Sequence, residues 1–160
     1  MSDYFGAAMR LYLEKLVDWG QLLELRQGGP VDVAAEVGAF RTLLETTAGL
    51  AASFEKTARA RWAAEAELTP DGGAQPPAHI RDAYAKLREA GLVCLGVDPE
   101  YGGFGLPALL NGMALEMIAR ADPSLMMVVG LQSGAANDVE KYGSEAAKRR
   151  WLPRFTSGEV

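Results

Sequence analysis

Apolar residues recur at steps of three and four along most of this chain. Phe5, Met9, Tyr12, Leu16, Trp19 and Leu23 share one helical face. Gly20 interrupts that stripe. Asp18 followed three residues on by Gln21 has the form of a capping box, with Val17 and Leu22 as its hydrophobic staple. The spacing predicts one bent helix or two short ones over residues 3–26, ended by Gly28-Gly29-Pro30. Asp32 can cap the next helix. Its stripe is Val33, Val37, Phe40, Leu44, Thr47, Ala51, Phe54 and Ala58, and its Ala-rich tail extends through Trp62 to about Glu67. Such a helix is unusually long, or kinked near Gly49.

Residues 69–76 (TPDGGAQP) read as a loop. Pro77 opens a third helix with Ile80, Ala83, Tyr84 and Leu87 inward, stopped by Gly91. LVCLGV (92–97) is too short to assign by period, and DPEYGGFGLP (98–107) is a Gly/Pro-rich connection. A fourth helix runs from about Pro107 to Ala121 on the stripe Leu110, Met113, Met117, Ala121. Asp122-Pro123, a cap followed by a first-turn proline, starts a fifth that ends near Tyr142-Gly143. Ser144 opens a sixth, which Pro153 should kink or end. Strand signals are nearly absent. The fold class expected is therefore all-α, a bundle of about six helices. Trp19 and Trp62, both on apolar faces, should be buried.

Composition narrows the function. The chain has 160 residues, 49% hydrophobic and 23% charged, which excludes a fully disordered polymer. A net charge of −5 argues against a general nucleic-acid binder. No apolar run approaches the roughly 20 residues of a membrane span. Cys94 is the single cysteine and can form no internal disulfide, which suits a reducing, cytoplasmic setting. His79 is the single histidine, so a His-based metal cluster or a Ser-His-Asp triad cannot form within the chain.

Candidate chemistry is sparse. Cys94 lies in an apolar run with no basic neighbour, the setting of an inert thiol rather than a nucleophile. His79 at a helix start reads as solvated or part of a capping region. Asp98 and Glu100 read as turn residues rather than an acid–base pair. Gly102, Gly103 and Gly105 depart from the GxGxxG spacing and follow no clear strand, so a tight turn outweighs a phosphate cradle. Lys148, Arg149, Arg150 and Arg154 form one basic cluster, read as a solvated helix face with Trp151 as core anchor. Met113, Met117, Met126 and Met127 are either plain core or the pliable lining of a cavity. Gly130 and Gly134, four apart on the fifth helix, leave a groove for a neighbouring helix or a ligand chain.

LREAGLVCLGVDPEYGGFGLP (87–107), EMIARADPSL (116–125) and GSEAAKRRWLPRFTSGEV (143–160) together resemble, in order and spacing, the N-terminal helical domain of flavin-dependent acyl-CoA dehydrogenases. The resemblance is good over residues 77–160. Residues 1–68 more loosely resemble the extended head of a large-subunit branch that includes enzymes acting on methylthiopropanoyl-CoA. On this basis residues 1–68 are expected to form a helical extension and 69–160 the family's N-terminal domain, in one compact unit.

The resemblance implies a parent enzyme that dehydrogenates an acyl-CoA thioester to a 2-enoyl-CoA. FAD would lie between a β-domain and a C-terminal bundle, a C-terminal glutamate would act as base, and an electron-transfer flavoprotein would take the electrons. The family is usually oligomeric, so a homo-oligomer is implied. It also places Met126, Met127, Gly130 and Gly134 at acyl-pocket positions. Val160 falls just before the family's Thr-Glu-Pro-x-x-Gly-Ser-Asp segment, so no catalytic residue is expected in this chain, and neither FAD binding nor turnover by it alone. The alternatives are an inactive standalone helical binding or assembly module and, last, a membrane-surface helix over residues 3–26. That helix's polar face carries Asp3, Glu14, Asp18 and Glu24, unlike the Lys/Arg-rich face of interfacial helices.

Overall fold

A computed structural model describes residues 3–160. The described residues form α1 (Ala7–Leu11), a π-helical turn (Tyr12–Leu16), α2 (Trp19–Gln27), α3 (Val33–Arg61), α4 (Ala78–Glu89), a 3-10 turn (Pro99–Tyr101), α5 (Ala108–Ala121), α6 (Pro123–Tyr142) and α7 (Glu145–Thr156). The fold is all-α. Among the described residues the one sheet is a two-residue antiparallel ladder that closes the expected loop, with β1 (Glu67–Leu68) just before it, where a helix tail was expected, and β2 (Ala74–Gln75) inside it, Glu67 standing opposite Gln75.

The N-terminal stripe is broken by the π-helical turn, where Val17 N–H reaches back to the Tyr12 carbonyl at 3.3 Å. Such a turn holds more residues than an α-helical one, so the inward face advances along the sequence. Leu13 is buried in place of Tyr12, and both Tyr12 and Leu16 face solvent. Trp19 is buried as expected. Its Nε1–H donates to the Leu13 carbonyl at 2.6 Å, and its ring tilts onto Phe40 at a centroid distance of 5.2 Å.

α3 is one helix of 29 residues, about 43 Å long at 1.5 Å per residue, and Gly49 does not interrupt it. Phe40, Leu44, Thr47, Ala51, Phe54 and Ala58 are its buried face, as the stripe predicts. The Thr47 hydroxyl is satisfied inside the helix by donating to the Leu43 carbonyl at 2.9 Å. α3 stops at Arg61, short of Glu67. Trp62 is therefore 85% exposed, contrary to expectation, because the chain turns away there and nothing covers the ring. Side-chain caps stand where the sequence placed them. Asp18 accepts from Gln21 N–H and Asp32 from Ala35 N–H, both at 3.0 Å, and Ser144 accepts from Ala147 N–H at 3.3 Å.

One apolar core joins Tyr4, Phe5 and Leu13 to α3, α4, α5 and the first half of α6. A second, smaller cluster of Cys94, Val97, Ala136 and Leu152 seats α7 against α6. α7 runs through Pro153 to Thr156 instead of ending there. Its anchor is Leu152, which is fully buried. Trp151 is only half-buried, with the Arg150 and Arg154 guanidiniums over its ring at 5.0 and 4.9 Å from the centroid.

Candidate functional site

The segment between α4 and α5 is held from three sides. Asp98 N–H donates to Glu140 Oε1 at 2.7 Å, Thr156 Oγ1 donates to the Tyr101 carbonyl at 2.7 Å, and Arg26 Nη2 donates to the Gly105 carbonyl at 2.8 Å. Within it, the Asp98 carboxylate accepts from Glu100 N–H at 2.7 Å and caps the 3-10 turn. Asp98 and Glu100 are both exposed, and nothing gathers them into an acid–base pair. Gly103 stands so close to the chain that a Cβ there would lie 2.0 Å from the Val97 carbonyl oxygen, and Gly102 has φ +85. The amides of Gly102, Gly103 and Gly105 donate to the carbonyls of Pro99, Asp98 and Val97. They are consumed by the turn, so this turn does not fit the pyrophosphate of a flavin dinucleotide.

α6 carries all four residues expected at an acyl pocket, and the structure divides them. Met126 is partly buried against the core. A Cβ at Gly130 would meet Met126 Sδ at 3.6 Å and Leu115 of α5 at 3.8 Å, so Met126 and Gly130 lie together on the flank facing α5. Met127 is 51% exposed, and the space around Gly134 is open. Met127, Val128 and Leu131 form an outward apolar strip beside the notch at Gly134. Met113 and Met117 are buried in α5 as plain core.

The remaining candidates resolve into local chemistry. Cys94 has φ +51 in the left-handed region and is 1% exposed. Burial pushes its thiol up to about 11, against a smaller downward pull from the Ser133 hydroxyl, so it stays protonated and inert at neutral pH. Lys148 pairs with Glu145 at 3.0 Å and Arg154 with Glu159 at 2.8 Å, leaving the basic cluster a solvated helix face.

His79 departs from the solvated reading and lies in the capping region of α6. Its side chain is only 12% exposed and its Nε2 stands 3.5 Å from Asp122 Oδ2. The cap at Asp122 was legible from Asp-Pro, but no local signal in the sequence marks His79 as its partner. Two clefts of about 460 and 410 Å³ flank this pair, and a larger one of about 790 Å³ lies between α2, α3 and the glycine turn. None of these three clefts is lined by Met126, Met127, Gly130 or Gly134. Among the described residues no helix is long and apolar enough to cross a membrane, and no group of histidine, cysteine and carboxylate side chains could hold a metal ion.

Comparison with known proteins converges on one family. The profile described as "Acyl-CoA dehydrogenase, N-terminal domain" matches residues 42–159, from within α3 to the end of the bundle. The short-chain specific acyl-CoA dehydrogenase of Rattus norvegicus mitochondria is 30% identical over 99 residues, 60% of this chain and 24% of its own length. Isovaleryl-CoA dehydrogenase from mitochondria of Oryza sativa subsp. japonica is 39% identical over 61 residues, 38% of this chain and 15% of that protein. Acryloyl-CoA reductase (NADH) of Anaerotignum propionicum is 30% identical over 101 residues, 62% of this chain and 26% of its own. The chain thus spans about a quarter or less of these relatives. The all-α bundle and the match along most of its length place this chain in the acyl-CoA dehydrogenase family, through that family's N-terminal domain.

Proposed function

We propose that this chain serves as the N-terminal helical part of a flavin-dependent acyl-CoA dehydrogenase and supplies one wall of the acyl-chain pocket from α6. The observation that carries the reading is the outward strip of Met127, Val128 and Leu131 beside the open notch at Gly134, on the helix where the family resemblance places pocket residues. A helix that presents pliable and small residues outward supplies half of an apolar channel and needs a facing wall to complete it. In this reading the facing wall, the flavin site and the catalytic base belong to the family's β- and C-terminal domains. This chain's task is to bind and orient the acyl group and to keep water from it. The reaction served is α,β-dehydrogenation of an acyl-CoA thioester to a 2-enoyl-CoA. The electrons pass to an electron-transfer flavoprotein, and the enzyme is a homo-oligomer in the cytoplasm. By itself the 160-residue chain should not turn over substrate.

Gly130 gives the sharpest test, because a leucine there would have to displace Met126 and Leu115 on the flank beside the outward strip and so shift that strip. In the flavin-loaded product of the gene, Gly130→Leu should lower kcat/KM for octanoyl-CoA relative to butanoyl-CoA by about tenfold or more, the scale of one to two methylenes of steric rejection. An unchanged chain-length ratio would remove Gly130 and its flank of α6 from the pocket. A second reading, an inactive helical binding or assembly module, draws on the same exposed strip. Dehydrogenase activity in the full gene product would exclude it.

A further inference from the structure

The start of α6 is set by one carboxylate with two tasks. Asp122 Oδ1 accepts from Ser124 N–H at 2.9 Å and Leu125 N–H at 3.2 Å, the two bonds that cap the helix. Oδ2 faces away from that cap toward His79 Nε2 at 3.5 Å. Both side chains are largely buried, at 9% and 12% exposure, where two clefts meet them, and His79 is the side chain that faces this oxygen. His79 belongs to the first turn of α4, a different helix, so the pair ties the N-terminal ends of α4 and α6 together. Leu125 and Met126 follow immediately, the first fully buried and the second beside Gly130.

We propose that His79 is a positioning residue. By holding Asp122 Oδ2 it fixes the orientation of the capping carboxylate, and thereby the first turn of α6 and the place from which Met126 and Gly130 face Leu115. The latch stands on its own geometry; its effect on acyl-chain selection rests on the pocket reading above.

Amide hydrogen exchange on the 160-residue chain tests the latch. His79→Leu keeps the bulk of the ring and removes its nitrogen, and should speed exchange at Ser124 and Leu125 by about tenfold, the scale of a lost cap. It should also move the Met126 methyl resonance. His79→Gln places an amide N–H near the position of Nε2 and should restore most of the protection. Protection unchanged in His79→Leu, or a Gln variant no better than Leu, overturns the proposal, since ring volume alone would then explain the packing. Asp122→Asn supplies a second arm that keeps an acceptor for the cap. In that background His79→Leu should add little further loss, and a full additional tenfold loss would equally overturn the latch.

The flavin-loaded product of the gene separates this proposal from the reading beneath it. If the Leu variant loses protection while chain-length preference stays put, the latch is upheld and α6's part in the acyl pocket fails. If protection is unchanged, the latch fails whatever the preference does.

Discussion

Cys94 joins a left-handed backbone, φ +51, to a thiol that is 1% exposed. A non-glycine residue in that region bears a steric cost, here of order 1 kcal/mol. With the thiol raised to about 11, roughly one molecule in a thousand carries a thiolate at pH 8. Ellman's reagent should accordingly react with the native protein far more slowly than with the urea-unfolded chain. Equal rates would show that the side chain is not enclosed. The same shift predicts a pH effect on stability. The unfolded thiol ionises from about pH 9, its ordinary value here, while the folded thiol keeps its proton to about 11. Folding therefore loses stability as pH rises through that window, by up to roughly 3 kcal/mol. Urea unfolding of the wild type at pH 8 and pH 10.5, each compared with Cys94→Ala, isolates this contribution. The drop should be larger in the wild type, and an equal drop in both would remove it.

Glycines at the element scale fall into opposite classes. Gly49 lies inside α3 with no heavy atom near the place of a Cβ, whereas a Cβ at Gly103 would meet the Val97 carbonyl oxygen at 2.0 Å. Gly49→Ala should raise unfolding free energy by about 0.5–1 kcal/mol, the helix-propensity difference, because it costs no packing. Gly103→Ala should lower it by about 2 kcal/mol or more, since backbone must move. Chemical denaturation of both variants checks the pair, and a neutral Gly103→Ala would mean the turn is looser than drawn. Helix stripes and caps were legible in the sequence because they depend on local spacing: Phe40 to Ala58, and Asp18, Asp32, Asp122 and Ser144. The π-helical turn was not, since Tyr12 and Leu13 are both apolar and nothing in their spacing selects between a turn of four and a wider one. Trp62 misled for a related reason. It continues the rhythm of α3, but the helix ends one residue before it. Trp151 was misplaced because its neighbour Leu152 competes for the same burial, and Arg150 and Arg154 hold the indole at the surface.

At the scale of the whole molecule, the core accounts for the inner face of every long helix and leaves one face of α6 unexplained by folding. Buried Leu125, Val129, Ser133 and Ala136 bind α6 to the bundle, while Met127, Val128 and Leu131 point the other way. The candidate site was only partly legible for this reason. Sequence spacing shows that Met126, Met127, Gly130 and Gly134 share a helix, but which of them turns outward is decided by how α5 and α7 grip it. Leu131 is 65% exposed and contributes little to the fold, so its apolar surface has to be tolerated by water or covered by protein. In sedimentation runs the 160-residue chain should self-associate as concentration rises, and Leu131→Glu should suppress that association while changing Tm little. A variant that also unfolds easily would place Leu131 in the core after all. A wild type that stays monomeric at every concentration would mean the strip is too small to need a cover. The reading of α6 as half of a channel would then lose the observation that carries it, because Met126 and Gly130 face α5.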